Sequence, residues 1–523
     1  MTQFTLTAQM DARNRVLCAP DTELKTIILE VFSLVDYDPS ICKHIEEDME
    51  RAALAAKRKR LIAAAERAAA TPALAGMLVF SAEDAAAIDL RELELEVGRE
   101  RLLDSEAVLV LAMCRAHLDS LSSKKAIDRM HDSRALQAYF GGCGLPLPSR
   151  SVMHEWVNCI SEASYEHIFA AHLLMVRREG LDDFAAVTAD SFSVWANTSW
   201  PTDSGTILGL LSRAWHYASK LNGFGLPGFS EAYIPTWLER IRTFDRQISF
   251  ACGKPHSKRR IRRFYHRLCN RAALVLQRLD RQMPALLPVW QAVSANLPVF
   301  ARERAQAIID RILCDLSDAA RVVDYARDRV FDDKSVPCSE KVLSLSDRSA
   351  AYIKKGGREA VVGYKPQLMR SSNGFISAFE LESGNPNDAA RLVPLTEQHV
   401  VRTGVVPWVV SVDDGYSSTG NRQTLQLLGV QTISMNGAKG KKITPEEQWD
   451  SPTYEQARKK RSAVESLVFT VRFKFHLYRF SRRGLAATRA EMYEKVIAHN
   501  LWRAALLRER SAAEPLVELP KAG

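Results

Sequence analysis

A multidomain α+β protein is what this sequence predicts, on three observations. Its 523 residues exceed what one hydrophobic core usually holds, so about three domains are expected. Two apolar runs of strand length, one opening at Phe184 and one spanning Val405 to Val412, each end on an aspartate, Asp190 and Asp413. Long stretches with helical spacing of apolar residues precede and separate these runs, which is the segregation of an α+β chain.

Taken in order, residues 1 to about 42 show no clear pattern. Lys43 to Ala70 is rich in Ala, Arg, Lys and Glu, strong helix formers. Its Arg51, Lys57, Arg58, Lys59, Arg60 and Arg67 read either as a solvated face or as cations that track a DNA backbone. Residues 77–165 read as a compact helical domain, with Asp104-Ser105-Glu106 starting a helix that carries Val108, Leu109, Leu111 and Ala112. Gly141, Gly142, Gly144, Pro146 and Pro148 mark a turn, and Ser149 then stands where it caps a helix carrying Met153, Trp156, Val157 and Ile160. A helix, a glycine-rich break and a second helix led by Ser149 and Arg150 matches helix-turn-helix geometry, whose leading side chains face base edges. Glycine-joined helix pairs also occur in proteins that touch no DNA.

Phe184 to Trp195 reads as a strand and its continuation, and 205–335 as several helices punctuated by Pro284, Pro288 and Pro298. Within that region Lys254 to Arg271 holds Lys258, Arg259, Arg260, Arg262 and Arg263, no acid, and interleaved Phe264, Tyr265 and His266. The cluster reads as a solvated basic face or as a stripe that neutralises phosphates and stacks an unpaired base. Val361 to Leu368 and Gly374 to Leu381 read as a hairpin, Asn387 to about Thr403 as an amphipathic helix, and Leu428 to Met435 as a strand. Val468 to Phe480 passes for a strand by propensity. Its first part is nonetheless expected to be helical, because Arg461, Glu465 and Arg472 stand four and seven residues apart, on one helix face. Glu491 to Leu507 reads as an amphipathic helix.

The formal charge is +9, with 71 Lys and Arg against 62 Asp and Glu. From Arg458 to Arg483 there are nine basic residues and one acid, Glu465, so that surface is expected to meet a polyanion. The nine cysteines form no Cys-x-x-Cys pair, which fits neither a disulfide framework nor a zinc site, and a reducing cytoplasmic setting is expected. No apolar run is long enough to span a bilayer.

Three blocks carry the chemistry. The first joins Asp190 and Ser191 to Asn197 and to Pro201, Thr202, Asp203 and Ser204; the second joins Val410, Asp413, Gly415, Tyr416 and Ser418; the third joins Arg461 and Glu465. In these blocks the chain resembles the DDE transposases of bacterial insertion sequences, over roughly residues 80 to 505, with Lys354, Lys355, Gly356, Asn385 and Asp388 as further landmarks. Two positions depart from the family pattern: Arg472 stands where the third block ends in Lys, with Lys474 beyond it, and Arg458 stands where some relatives carry Tyr.

The resemblance implies a ribonuclease H-like mixed β-sheet core, an N-terminal helix-turn-helix-like domain, and a large helical insertion between the two aspartate strands. The implied division is a 1–76 arm and helix, a 77–165 DNA-binding domain, a catalytic domain of 180–204 and 340–489, a 205–335 insertion, and a 490–523 helix and tail. Asp190, Asp413 and Glu465 are the implied catalytic and metal-holding residues, converging on two Mg2+ or Mn2+ ions. Two such ions about 4 Å apart activate the attacking oxygen and stabilise the leaving one, and need only carboxylates to hold them. The implied activity is to bind the inverted-repeat ends of the element, cleave there and join the 3′-hydroxyls to target DNA, as a dimer or higher assembly in a bacterial, nucleoid-associated setting. Arg461, Arg472, Lys474, Arg479 and Arg483, the five cations of the insertion, and Ser149 with Arg150 are the expected DNA contacts. A structure-specific nuclease on the same core, or a DNA-binding protein that has lost catalysis, are the alternatives.

Overall fold

The computed structural model describes residues 6–20, 23–69, 103–118, 123–224, 226, 233–295, 297, 299–354 and 359–513. Lys355 and Gly356, and residues 77–102 of the expected helical domain, lie outside these. The chain forms two compact units, one of residues 1–52, 96–197 and 349–523, the other of 53–95 and 198–348. The described fold is mostly helical with a mixed sheet, consistent with a ribonuclease H-like domain.

The first unit is built on β1 (Ala186–Ser191), β5 (Gln367–Ser371), β6 (Ile376–Glu380), β7 (Val409–Val412) and β8 (Thr432–Met435), in the order β6-β5-β1-β7-β8. β5 runs antiparallel to both its neighbours, while β1, β7 and β8 are parallel. Side chains alternate along each strand. Val187, Ala189, Met369, Val410, Val412 and Ile433 share one core with Leu392 and Leu395 of α13 (Leu392–Thr403) and Leu425 of α14 (Thr419–Leu427). Each fully buried leucine there contributes about 2 kcal/mol. The other face, with Thr188 and Ser411, receives α17 (Pro452–Lys460) and α18 (Ala463–Phe473): Ser411 donates to the carbonyl of Ala457 at 2.9 Å, and α18 packs on β1 and β5.

The expected 361–381 hairpin divides differently. Lys365-Pro366 breaks its first arm, so only Gln367–Ser371 pairs with β6, while β4 (Val361–Tyr364) forms a second sheet, β2-β4-β3, with β2 (Val194–Trp195) and β3 (Ala351–Ile353). Proline cannot donate to a ladder, which explains the switch of sheets. Gly363 is required there, since a Cβ would stand 1.9 Å from the carbonyl oxygen of Val194.

Helices pack beside this sheet. The expected featureless N-terminus instead contains α1 (Leu6–Cys18) and α2 (Glu23–Tyr37), and α2 buries Leu24, Ile27, Ile28, Val31 and Leu34 against α4 (Ser105–His117) and α19 (Leu485–Ala513). The expected Lys43–Ala70 helix is α3 (Ser40–Ala69). After α5 (Ser123–His131) come α6 (Arg134–Gly142), α7 (Arg150–Val157) and α8 (Glu162–Arg178). Ser149 occupies the N-cap position of α7 without a side-chain capping bond, and Met153 and Val157 are its buried residues.

The second unit is helical. Its α9 (Asp203–Lys220), α10 (Tyr233–Ala251), α11 (Lys258–Ser294) and α12 (Val299–Phe331) share one core that includes Leu211, Leu268, Leu279 and Ile312. Pro284 and Pro288, expected as breaks, lie inside the 37-residue α11. Each costs the helix about 3 kcal/mol, and burial of Val275, Leu279, Met283, Leu286 and Trp290 along one stripe offsets it.

Candidate active site

Thr188 pairs with Ser411 across the parallel β1–β7 ladder, an offset of 223 residues (411 − 188). Asp413 stands the same 223 beyond Asp190 (413 − 190). Carried two residues further, the register therefore sets the two aspartates level on adjacent strands. Alternation also puts both on the Thr188/Ser411 face, the face that α17 and α18 cover. Asp413 keeps extended backbone, φ −81° and ψ 176°, so the alternation persists to it. Its Oδ1 accepts from the Gly415 amide at 3.0 Å, and Asp190 Oδ1 accepts from the Ser191 amide at 2.7 Å.

Tyr416 reports the same convergence electrostatically. Burial pushes its phenol well up, and the charges of Asp388, Asp190 and Asp413 push it further. Its hydroxyl bonds to Gln367, whose amide donates to Asp388 at 2.7 Å, and Lys365 Nζ lies 2.8 Å from the same carboxylate. Gly415 sits between two acids: a Cβ there would stand 3.1 Å from Asp413 Oδ1 and 3.3 Å from Asp388 Oδ2. Lys365, Gln367 and Tyr416 thus brace the ends of β1 and β7. Sequence reasoning assigned Lys365 and Gln367 no role, because nothing local shows that β5 enters beside β1.

Two neighbouring acids in the sequence, Asp414 and Asp203, have other duties. Asp414 Oδ1 accepts from the amides of Lys439 and Gly440 at 3.0 and 2.9 Å, tying down the helix Ala438–Ile443. Asp203, in the second unit, pairs with Arg329 at 2.7 Å in the first turn of α9, which Thr202 caps through the Gly205 amide.

Glu465 lies in the first turn of α18, a helix as expected. Its carboxylate accepts from Arg461 at 2.6 Å, and its side chain is 60% exposed. Among the described residues, no three His, Cys, Asp or Glu side chains gather as a metal centre. Asp190 and Asp413 are thus the pair that the β1–β7 register aligns, and Glu465 is held in an ion pair with Arg461. Arg461, four residues back at the C-cap of α17, is its ion-pair partner.

Residues 326–501 match the family model described as transposase DDE domain. The chain carries a transposase DDE domain. The match covers about a third of the chain, taking in Asp413 and Glu465 and leaving Asp190 outside. No curated protein and no solved structure matches the chain in the comparisons made.

DDE transposases generally use divalent metal ions. The oxygen donors of Asp190 and Asp413, level and on one face, fit a hard cation of that kind.

The structure also sorts the basic candidates of this chain. In the first unit, Lys474 Nζ lies 4.4 Å from the Trp502 ring centroid, Arg479 pairs its backbone with Trp195, and Arg483 donates to the carbonyl of Asn197 at 3.1 Å. Arg472 is half-buried, and Arg150 lies 3.7 Å from Asp128 with half its side chain exposed. Arg458 and Arg482, part of the nine-cation run, are spoken for: one stacks on Trp449 and the other sits with buried Glu494. In the second unit, Arg262 donates to the carbonyls of Val330 and Phe331 and pairs with Asp333, so it serves as a helix C-terminal cap. Lys258, Arg259, Arg260 and Arg263 are exposed. Of the three expected base-stacking rings, Tyr265 is in the core and Phe264 packs against it, while His266 is exposed. Tyr265 falls on the inward stripe of α11.

Proposed function

We propose that this DDE transposase binds the inverted-repeat ends of its own element, cleaves phosphodiester bonds there and joins the freed 3′-hydroxyls to target DNA. The observation that carries the reading is the parallel β1–β7 register, which extended by two residues brings Asp190 level with Asp413, in a unit that holds most of the matched transposase DDE segment. In this reading Asp190, Asp413 and Glu465 would hold the divalent metal, Glu465 by giving up its ion pair with Arg461. Mg2+ or Mn2+ bound there as a pair would supply activation of the attacking oxygen and stabilisation of charge on the leaving oxygen.

The remaining work falls to this chain's own groups. Tyr416, Gln367 and Lys365 hold the two strand ends in register. Arg461, once released, and Arg472, with Lys474, Arg479 and Arg483, face the phosphates of the bound strand. Ser149 and Arg150 at the start of α7 approach base edges in the manner of a recognition helix. Lys258, Arg259, Arg260 and Arg263 add phosphate contacts from the helical unit. Pairing of two element ends calls for at least a dimer on DNA.

The test is a strand-transfer assay with end-bearing DNA, a target plasmid and Mg2+. Joined products are expected. Cutting without joining would reassign the chain as a nuclease, and binding without either would leave it a DNA-binding protein.

A further inference from the structure

The buried stripe of α18 consists of Val464, Leu467 and Val471, which leaves the opposite face to water. That outward face carries Glu465 and, at successive four-residue steps, Phe469 and Phe473. The two phenylalanines are 64% and 56% exposed, and their ring centroids are 4.6 Å apart at 44°. Single exposed apolar residues are ordinary on a protein surface. A contacting aromatic pair in line with a candidate catalytic glutamate is a different feature, because it offers ring faces beside a reacting centre.

Its surroundings fix the kind of partner. Arg461, in the turn between α17 and α18, pairs with Glu465; Lys459 and Lys460 precede it, and Arg472 and Lys474 flank Phe473. Glu465 is the sole acid between Arg458 and Arg483. Cations interleaved with accessible aromatic rings are how proteins hold unpaired nucleic-acid strands: the charges track phosphates and the rings stack on bases of any sequence. At 1.5 Å per residue, Phe469 and Phe473 stand about 6 and 12 Å along the helix from Glu465. That is roughly two to four base steps of 3.4 Å from a phosphate at the carboxylate.

We propose that Phe469 and Phe473 form a stacking platform for unpaired bases of the DNA strand, next to the phosphate being cut. The platform holds a frayed end so that the backbone lies against Glu465, and it reads no sequence. It rests on the transposase reading and adds to it a preference for strands with exposed bases.

The experiment uses the full chain without divalent metal, so that binding is measured apart from cleavage. Fluorescein-labelled duplexes carry a single-stranded oligo-dT tail, the same tail with abasic sugars, or no tail. The wild-type chain is expected to bind the dT tail about five- to a hundredfold more tightly than the abasic tail, since stacking is lost and phosphates are retained. The F469A/F473A double variant should lose that preference while keeping its affinity for the untailed duplex, and F469W/F473W should keep both. A double alanine variant that still prefers bases over abasic sugars overturns the platform. Loss of a dimer in light scattering with the base preference intact assigns the patch to a second copy and also overturns it. Failure of the wild-type chain to bind any of the three DNAs removes the transposase reading itself.

Discussion

Three histidines of the first unit show how single residues tie this fold to pH. Burial pushes His172 down to about 3 and His399 and His499 down to about 4, from an ordinary 6.5. His399 Nδ1 bonds to Ser377 and His499 Nδ1 to Asn500, while both ring nitrogens of His172 lack a hydrogen-bond partner. Between pH 6.5 and about 4 the unfolded chain takes up protons that the folded chain refuses, so stability falls as pH falls through that window. Each histidine is expected to withdraw about 2 kcal/mol by pH 5. Urea melts at pH 7 and pH 5 measure this, and His172→Leu should reduce the difference by about a third. A difference unchanged in that variant would contradict the assignment.

At the scale of elements, Glu494 is the tie between helices. Fully buried on α19, it meets Arg115 of α4 at 2.7 Å, the Tyr165 hydroxyl of α8 at 2.6 Å, and Arg482 in the loop before its own helix. Burial alone would raise its pKa, yet Arg115 and Arg482 hold it below the usual range. Removing the charge leaves two guanidiniums facing each other in a dry site, so Glu494→Gln should cost about 3–5 kcal/mol. Thermal denaturation of the purified variant measures it, and a loss under 1 kcal/mol would show that water already screens the group. A second tie explains why α13 sits where it does: Arg402 forks onto Glu166 of α8 at 2.6 and 2.8 Å, and Tyr493 of α19 donates to the same carboxylate at 2.6 Å. None of these long-range partners is legible from spacing.

Across the whole molecule, what the sequence made legible was whatever depends on local pattern. A strand at each aspartate, the helical character of the Glu465 segment, and the helical region between the aspartate strands follow from periodicity and propensity and are present, although the Val405–Val412 run pairs only over Val409–Val412 and β1 runs on to Ser191. What it hid was pairing. Val361–Tyr364 looks like the first arm of a hairpin until Lys365-Pro366 sends it to another sheet, and α2 looks featureless until α4 and α19 cover its apolar stripe. The brace of Lys365, Gln367 and Tyr416 exists only because β5 enters antiparallel beside β1. Basic residues were the least legible, since a guanidinium that caps a helix, as Arg262 does, is spelled like one that meets a phosphate.

The central claim is that Asp190, outside the matched domain segment, acts with Asp413 and Glu465 as one centre. The most direct measurement compares Mg2+-dependent cleavage of end-bearing DNA by Asp190→Asn, Asp413→Asn and Glu465→Gln, alongside their affinity for the same DNA in chelator. Each substitution keeps the side chain's size and removes its charge, so each variant should bind within about threefold of wild type and cleave at least a hundredfold more slowly. Cleavage near the wild-type rate in Asp190→Asn, with the other two inactive, would contradict the account.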